Sequence, residues 1–160
     1  MTTEEKIEIV KDAIRKLYSV DKELVDRDLC ERCLVHRLAI HLGNNPHLEG
    51  YFVDCEFNKA FDIRGNIPKY LSSKRGNYVD IIIHKRSDPL GDNLLCFEVK
   101  KSSNGNKQQI EKDKKNLQML TTDPYYYTLG FHINLTKNYE TTKAHIYIEG
   151  RFIGELKMQD

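Results

Sequence analysis

Between Tyr78 and Lys101 the chain reads YVDIIIHKRSDPLGDNLLCFEVKK, two short apolar runs joined by a polar turn containing Pro89 and Gly91. The first run, Val79 to His84, is dominated by isoleucine, and the second, Asn93 to Lys100, stays apolar until it ends in Glu98-Val99-Lys100. Both read as strands. Side chains alternate faces along a strand, so Glu98 and Lys100 point the same way, flanking an inward Val99. One acid in a strand of buried character, followed by acid-x-lysine closing the next, makes a poor core. It makes a good metal site.

A magnesium-type ion takes hard oxygen ligands, often one or two carboxylates, with water and substrate phosphate completing the shell. Asp80 and Glu98, side by side on adjacent strands, would supply two carboxylates, and the Val99 carbonyl a third oxygen. Lys100, on the Glu98 face, can hold or polarise an attacking water and balance developing negative charge. Two neighbouring carboxylates keep such an ammonium charged, which makes it an electrostatic stabiliser rather than a general base. Mg²⁺ or Mn²⁺ is the expected cofactor. The plainer alternative is a set of solvated charges at strand ends.

The flanking chain predicts the frame. Thr2-x-x-Glu5 is a capping-box pattern opening a helix over about residues 1–20, with Ile7, Val10, Ile14 and Leu17 on one face. A second helix ends near Leu42, before Gly43 and the turn-rich GNNPHLEG. Counting back four residues from its apolar Val35 reaches Glu31. Glu31 therefore either joins the apolar face or completes a capping box begun by Asp28, and the two are compatible. Tyr51 to Asn58 alternates as a strand with Asp54 and Glu56 on one face, a solvent face or the lining of a cleft. Lys59 to Asn77 is a long basic connection. Asn106 with Gln109 signals the start of a third, lysine-rich helix with Ile110, Leu117 and Leu120 on its core face. Tyr125 to Leu135 and Lys143 to Ile148 complete the strands, and Gly150 turns the chain into a short tail.

This order predicts one α/β domain over residues 1–160, with a central mixed sheet of about five strands flanked by helices. With 31% charged and 39% hydrophobic residues, the chain has enough apolar content for a compact core under a heavily solvated surface. No apolar run is long enough to span a bilayer, and the N-terminus lacks signal-peptide character, so a cytoplasmic protein with no membrane partner is expected. The net charge of +1 argues neither for nor against nucleic acid, but its distribution says more: from Ile63 to Arg86, six Lys/Arg stand against the single acid Asp80, a local excess able to contact phosphates. Arg64, Lys69, Lys74 and Arg75 there, with Lys101 and Gln109 near the third helix, are candidate phosphate contacts; an ordinary solvated surface is the alternative. Cys30-x-x-Cys33 has zinc spacing but no second pair, and buried reduced thiols are expected instead.

The acid-bearing strand, the turn, the strand ending in Glu98-Val99-Lys100, the lysine-rich helix and the aromatic strand together resemble the PD-(D/E)xK nuclease superfamily, the restriction-endonuclease-like fold, including its small bacterial and phage members, and the resemblance implies a core of that kind over residues 26–150. Val79-Asp80 stands where the family often has Pro-Asp. Glu98-Val99-Lys100 matches its (D/E)xK, and Glu31 matches the additional acid many members carry on the preceding helix. The resemblance implies a Mg²⁺-dependent nuclease acting on DNA, or RNA, with Asp80, Glu98, Lys100 and Glu31 as catalytic residues. A homodimer or partner subunit would supply specificity. It also leaves room for a catalytically silent module of the same fold that binds nucleic acid or a protein partner, because fold does not dictate activity.

Overall fold

The computed structural model describes residues 1–57, 59–62, 65–68, 78–86, 93–102 and 106–158, with backbone alone for 59–62 and 65–68. Thr2 starts the first helix as the sequence predicts: its hydroxyl accepts from the Glu5 N–H at 3.2 Å, and its own N–H donates to the Glu5 carboxylate at 2.6 Å. Helix α1 (Thr3–Val20) then buries Ile9, Val10, Ala13, Ile14 and Leu17 on one stripe. A short α2 (Lys22–Asp26) and the longer α3 (Glu31–Gly43) follow. Asp28 does not cap α3. It lies outside the helix at φ 58°, Cys30 takes the cap position, and Glu31 is the first helical residue. The Glu31 side chain is thereby released from local capping.

Six strands form one mixed sheet: β1 (Phe52–Phe57), β4 (Val79–His84), β5 (Asn93–Lys101), β6 (Leu129–Leu135), β7 (Lys143–Ile148) and β8 (Arg151–Lys157), in that spatial order. A separate hairpin of β2 (Lys59–Asp62) and β3 (Gly65–Pro68) lies within the basic connection. The sixth strand of the main sheet comes from the tail after Gly150. Glu149 at φ 48° and Gly150 at φ 74° form a two-residue turn of the kind that folds a strand back on its neighbour, and β8 pairs antiparallel with β7.

β5 and β6 are the parallel pair of this sheet. Parallel neighbours need a crossover, and helix α4 (Lys107–Leu120) provides it, capped by the Asn106 side chain accepting from the Gln108 N–H at 2.7 Å. The sheet thus acquires two covered faces. On one, α1 and α3 pack over Ile81, Ile83, Leu95, Phe97, Val99, Phe131 and Ile133. On the other, Leu117 and Leu120 of α4 pack over Val79, Ile82, Cys96 and Tyr147.

Tyr127 joins this α4 side rather than the face of Leu129, Phe131 and Ile133. Tyr126 at φ 51° breaks the alternation, and β6 begins at Leu129 rather than Tyr125. Among the described residues no helix is long and apolar enough to cross a membrane.

Candidate active site

Register puts the two central acids together. Ile81 pairs with Phe97 and Ile82 with Cys96, so continuation of the ladder brings Asp80 opposite Glu98 on the face covered by α4. Asp80 Oδ2 accepts the Val99 N–H at 2.7 Å, fixing that carboxylate at the β4–β5 seam. Glu98 is 3% exposed, and its Oε1 accepts from Asn116 Nδ2 of α4 at 3.3 Å.

Lys100 is the hub. Its ammonium donates to Glu31 Oε1 at 3.0 Å and to the Val99 carbonyl at 3.3 Å, and lies 3.5 Å from Asp113 Oδ2. The other Glu31 oxygen accepts the Lys101 N–H at 3.1 Å, so the first residue of α3 clamps the end of β5 from above. The Val99 carbonyl, expected as an oxygen donor, borders this charged cluster.

The electrostatics follow from burial and crowding. Burial pushes the Asp80 carboxyl up; the Val99 N–H and Lys100 oppose it, Glu31 and Asp113 reinforce it, and the result is about 6. Burial raises Glu98 well above the carboxylate range, with Asp80 and Asp113 adding to it. Asp113 is raised chiefly by burial. Burial alone would weaken the Lys100 ammonium, but Asp80, Asp113 and Glu31 outweigh it and leave its proton held more tightly than usual. The site therefore binds a fixed cation on its lysine and still holds more carboxylate than that cation satisfies.

Asp113 and Asn116 are contributions that the sequence reading passed over. Both fall at helical spacing on the stripe of α4 that carries Leu117 and Leu120, and both are buried. A polar residue on an apolar stripe was the available signal. Gln109, expected to meet phosphate, donates instead to Asp113 Oδ1 at 2.8 Å. Lys101 is also engaged inside the molecule: its ammonium donates to the carbonyls of Asp28 and Leu29, each at 3.0 Å, and pairs with the Asp28 carboxylate at 2.7 Å. Arg64, Lys69, Lys74 and Arg75 lie outside the described residues.

A cleft of about 500 Å³ opens beside the acids, lined by Glu31, Arg32, Val35, Cys55, Glu56 and Asp80. Glu56, at φ 50°, lines this cleft and pairs with Arg32 at 3.3 Å. His84, the last residue of β4, is buried with its Nε2 2.8 Å from Asp54 Oδ2, which gives the enclosed imidazole a polar partner.

Whether these residues suit a metal can be judged from the donors themselves. Among the described residues no three His, Cys, Asp or Glu side chains are grouped closely enough to hold an ion by themselves. A magnesium-type ion needs fewer: two carboxylates suffice when water and substrate complete its shell. Asp80, half-buried at the cleft, and the buried Glu98 are two oxygen donors that repel one another. The nearby Asp113 carboxylate is buried as well, with the Lys100 ammonium 3.5 Å from its Oδ2. A hard cation would relieve that excess of negative charge, and the donor set fits one. The chain matches no protein-family model, no curated protein and no solved structure.

Proposed function

We propose that this chain is a Mg²⁺- or Mn²⁺-dependent nuclease with a restriction-endonuclease-like core that hydrolyses phosphodiester bonds of DNA. The observation that carries the reading is an ammonium kept ionised among Glu31, Asp80 and Asp113, next to the Asp80–Glu98 pair. A divalent ion held by Asp80, Glu98 and the Val99 carbonyl would supply the positive charge that activates water and steadies the phosphoryl oxygens.

The chain's own groups do the rest. Lys100, which holds its proton tightly, donates hydrogen bonds to water or to a phosphate oxygen and adds positive charge where negative charge develops. Glu31 and Asp113 aim that ammonium from α3 and α4. Asn116 orients the Glu98 carboxylate, and the Val99 N–H orients that of Asp80. The basic connection carrying Arg64, Lys69, Lys74 and Arg75, with Lys107, Lys112 and Lys115 along α4, would hold the backbone of DNA or RNA. One such centre cuts one strand, so double-strand cleavage calls for a homodimer, a partner subunit or two successive events.

A second reading is a module of the same fold that binds nucleic acid or a protein without cutting, because a fold does not dictate its activity. The two separate in one assay. Plasmid, single-stranded and branched DNA, and RNA, are incubated with the protein in Mg²⁺ or Mn²⁺, beside Glu98→Ala. We expect metal-dependent cleavage that the variant loses by about 100-fold or more, the scale on which a preorganised catalytic group acts. Equal cleavage by the variant overturns the assignment, and salt-dependent binding without any cleavage supports the silent module.

A further inference from the structure

The first turn of α3 carries two thiols that the proposed chemistry does not use. Cys30 stands at the N-cap of α3 and Cys33 one turn on, and both side chains are exposed. This corrects the expectation of buried thiols: among the four cysteines Cys96 alone is buried. The two Sγ atoms are 3.1 Å apart. Side chains three residues apart on a helix are neighbours, and the extended backbone of Cys30 (φ −60°, ψ 148°) is that of a residue entering a helix. The pair is therefore held together by regular structure. Among the described residues no third ligand joins it, so it does not form a structural zinc site, which takes four.

We propose that Cys30 and Cys33 are a redox-active dithiol that exchanges with small disulfides of the glutathione class, Cys30 attacking and Cys33 resolving. Two features support that order. A helix N-terminus presents free N–H groups and a positive dipole end, which favour a thiolate at the cap. The Cys33 thiol chiefly draws the Cys30 thiol below its ordinary range, while hydrogen bonding to Cys30 raises that of Cys33. Exposure gives a disulfide access to the pair.

In the first step the Cys30 thiolate attacks one sulfur of oxidised glutathione. The glutathione S–S bond breaks, a Cys30–glutathione disulfide forms, and one glutathione thiolate leaves and takes up a proton. In the second, the deprotonated Cys33 attacks Cys30 Sγ, forming the Cys30–Cys33 disulfide and expelling the second glutathione. Two protein thiols lose two electrons, one glutathione disulfide gains them, and the two thiol protons end on the two glutathione molecules.

The test uses the full chain and its Cys30→Ser, Cys33→Ser and Cys55→Ser variants, each incubated with oxidised glutathione at neutral pH, alkylated and read by mass spectrometry. Cys55 is an exposed thiol outside the pair and serves as the internal reference. Serine is a favoured N-cap residue, so Cys30→Ser keeps α3 capped, as circular dichroism will verify. We expect wild type and Cys55→Ser to form the internal disulfide, and Cys33→Ser to stop at a mixed disulfide on Cys30. Cys30→Ser should react at Cys33 roughly 10-fold more slowly or less. Absence of the internal disulfide, or its formation no faster than glutathione adds to Cys55, overturns the proposal.

Discussion

Asp80 is an acid whose surroundings favour its proton. Its folded value of about 6 lies above the roughly 3.9 of an unfolded aspartate, so this group contributes stability that is fully present below about pH 4 and lost as pH rises through 6. The metal-free protein should therefore melt at lower temperature at pH 7.5 than at pH 5 because of this group. Asp80→Asn should flatten that dependence. A divalent ion competes with the same proton, so the rise in melting temperature on adding Mg²⁺ should be large at pH 7.5 and nearly absent at pH 5. Differential scanning fluorimetry across this range checks both, and an equal Mg²⁺ effect at the two pH values would count against metal binding at Asp80. Lys100→Met removes the ammonium from among buried acids and should cost about 3 kcal/mol at neutral pH, less in acid where those carboxyls take up protons. Urea titration of the variant at both pH values measures it. These residues were partly legible: Asp80, Glu98 and Lys100 stood out as charges in apolar strands. Asp113 did not, because on a lysine-rich helix one acid reads as solvated surface until α4 is docked on the sheet.

At the scale of elements, local chemistry was readable where it was local. The Thr2–Glu5 box forms as its spacing requires, and Thr2→Ala should lower stability by about 1 kcal/mol in denaturant titration. The start of α3 was misread because Asp28 is a better capping residue than Cys30; Asp28 instead takes a left-handed backbone at φ 58°, and its side chain pairs with Lys101. β8 was missed because its exposed Phe152 and Ile153 give no alternating pattern, and only the turn at Glu149–Gly150 announces it. That turn is specific to glycine on two counts. Gly150 has φ 74°, and a Cβ there would lie 2.9 Å from Thr122 Cγ2. Its N–H also donates to Thr121 Oγ1 at 3.0 Å, docking the β7–β8 hairpin on the end of α4. Gly150→Val should cost about 2 kcal/mol or more, measured by thermal or urea unfolding.

At the scale of the molecule, the sheet order decides which side chains meet. A parallel β5–β6 pair makes α4 cross the face that bears Glu98 and Lys100, and this brings Asp113 and Asn116 to the acids. Glu31 arrives from the opposite layer through the end of α3, 69 residues from Lys100 in sequence. The alternation of helices and strands made the fold class legible. The meeting of α3, α4 and the β4–β5 seam depends on long-range packing that no local pattern encodes. The central claim is that this meeting point is a cation site built on Asp80 and Glu98. Its most direct test is a crystal of the protein soaked in Mn²⁺ at neutral pH and measured for anomalous scattering. The account predicts a peak between the Asp80 and Glu98 carboxylates, lost in Glu98→Gln; saturating Mn²⁺ with no peak there, or a peak that persists in the variant, would contradict it.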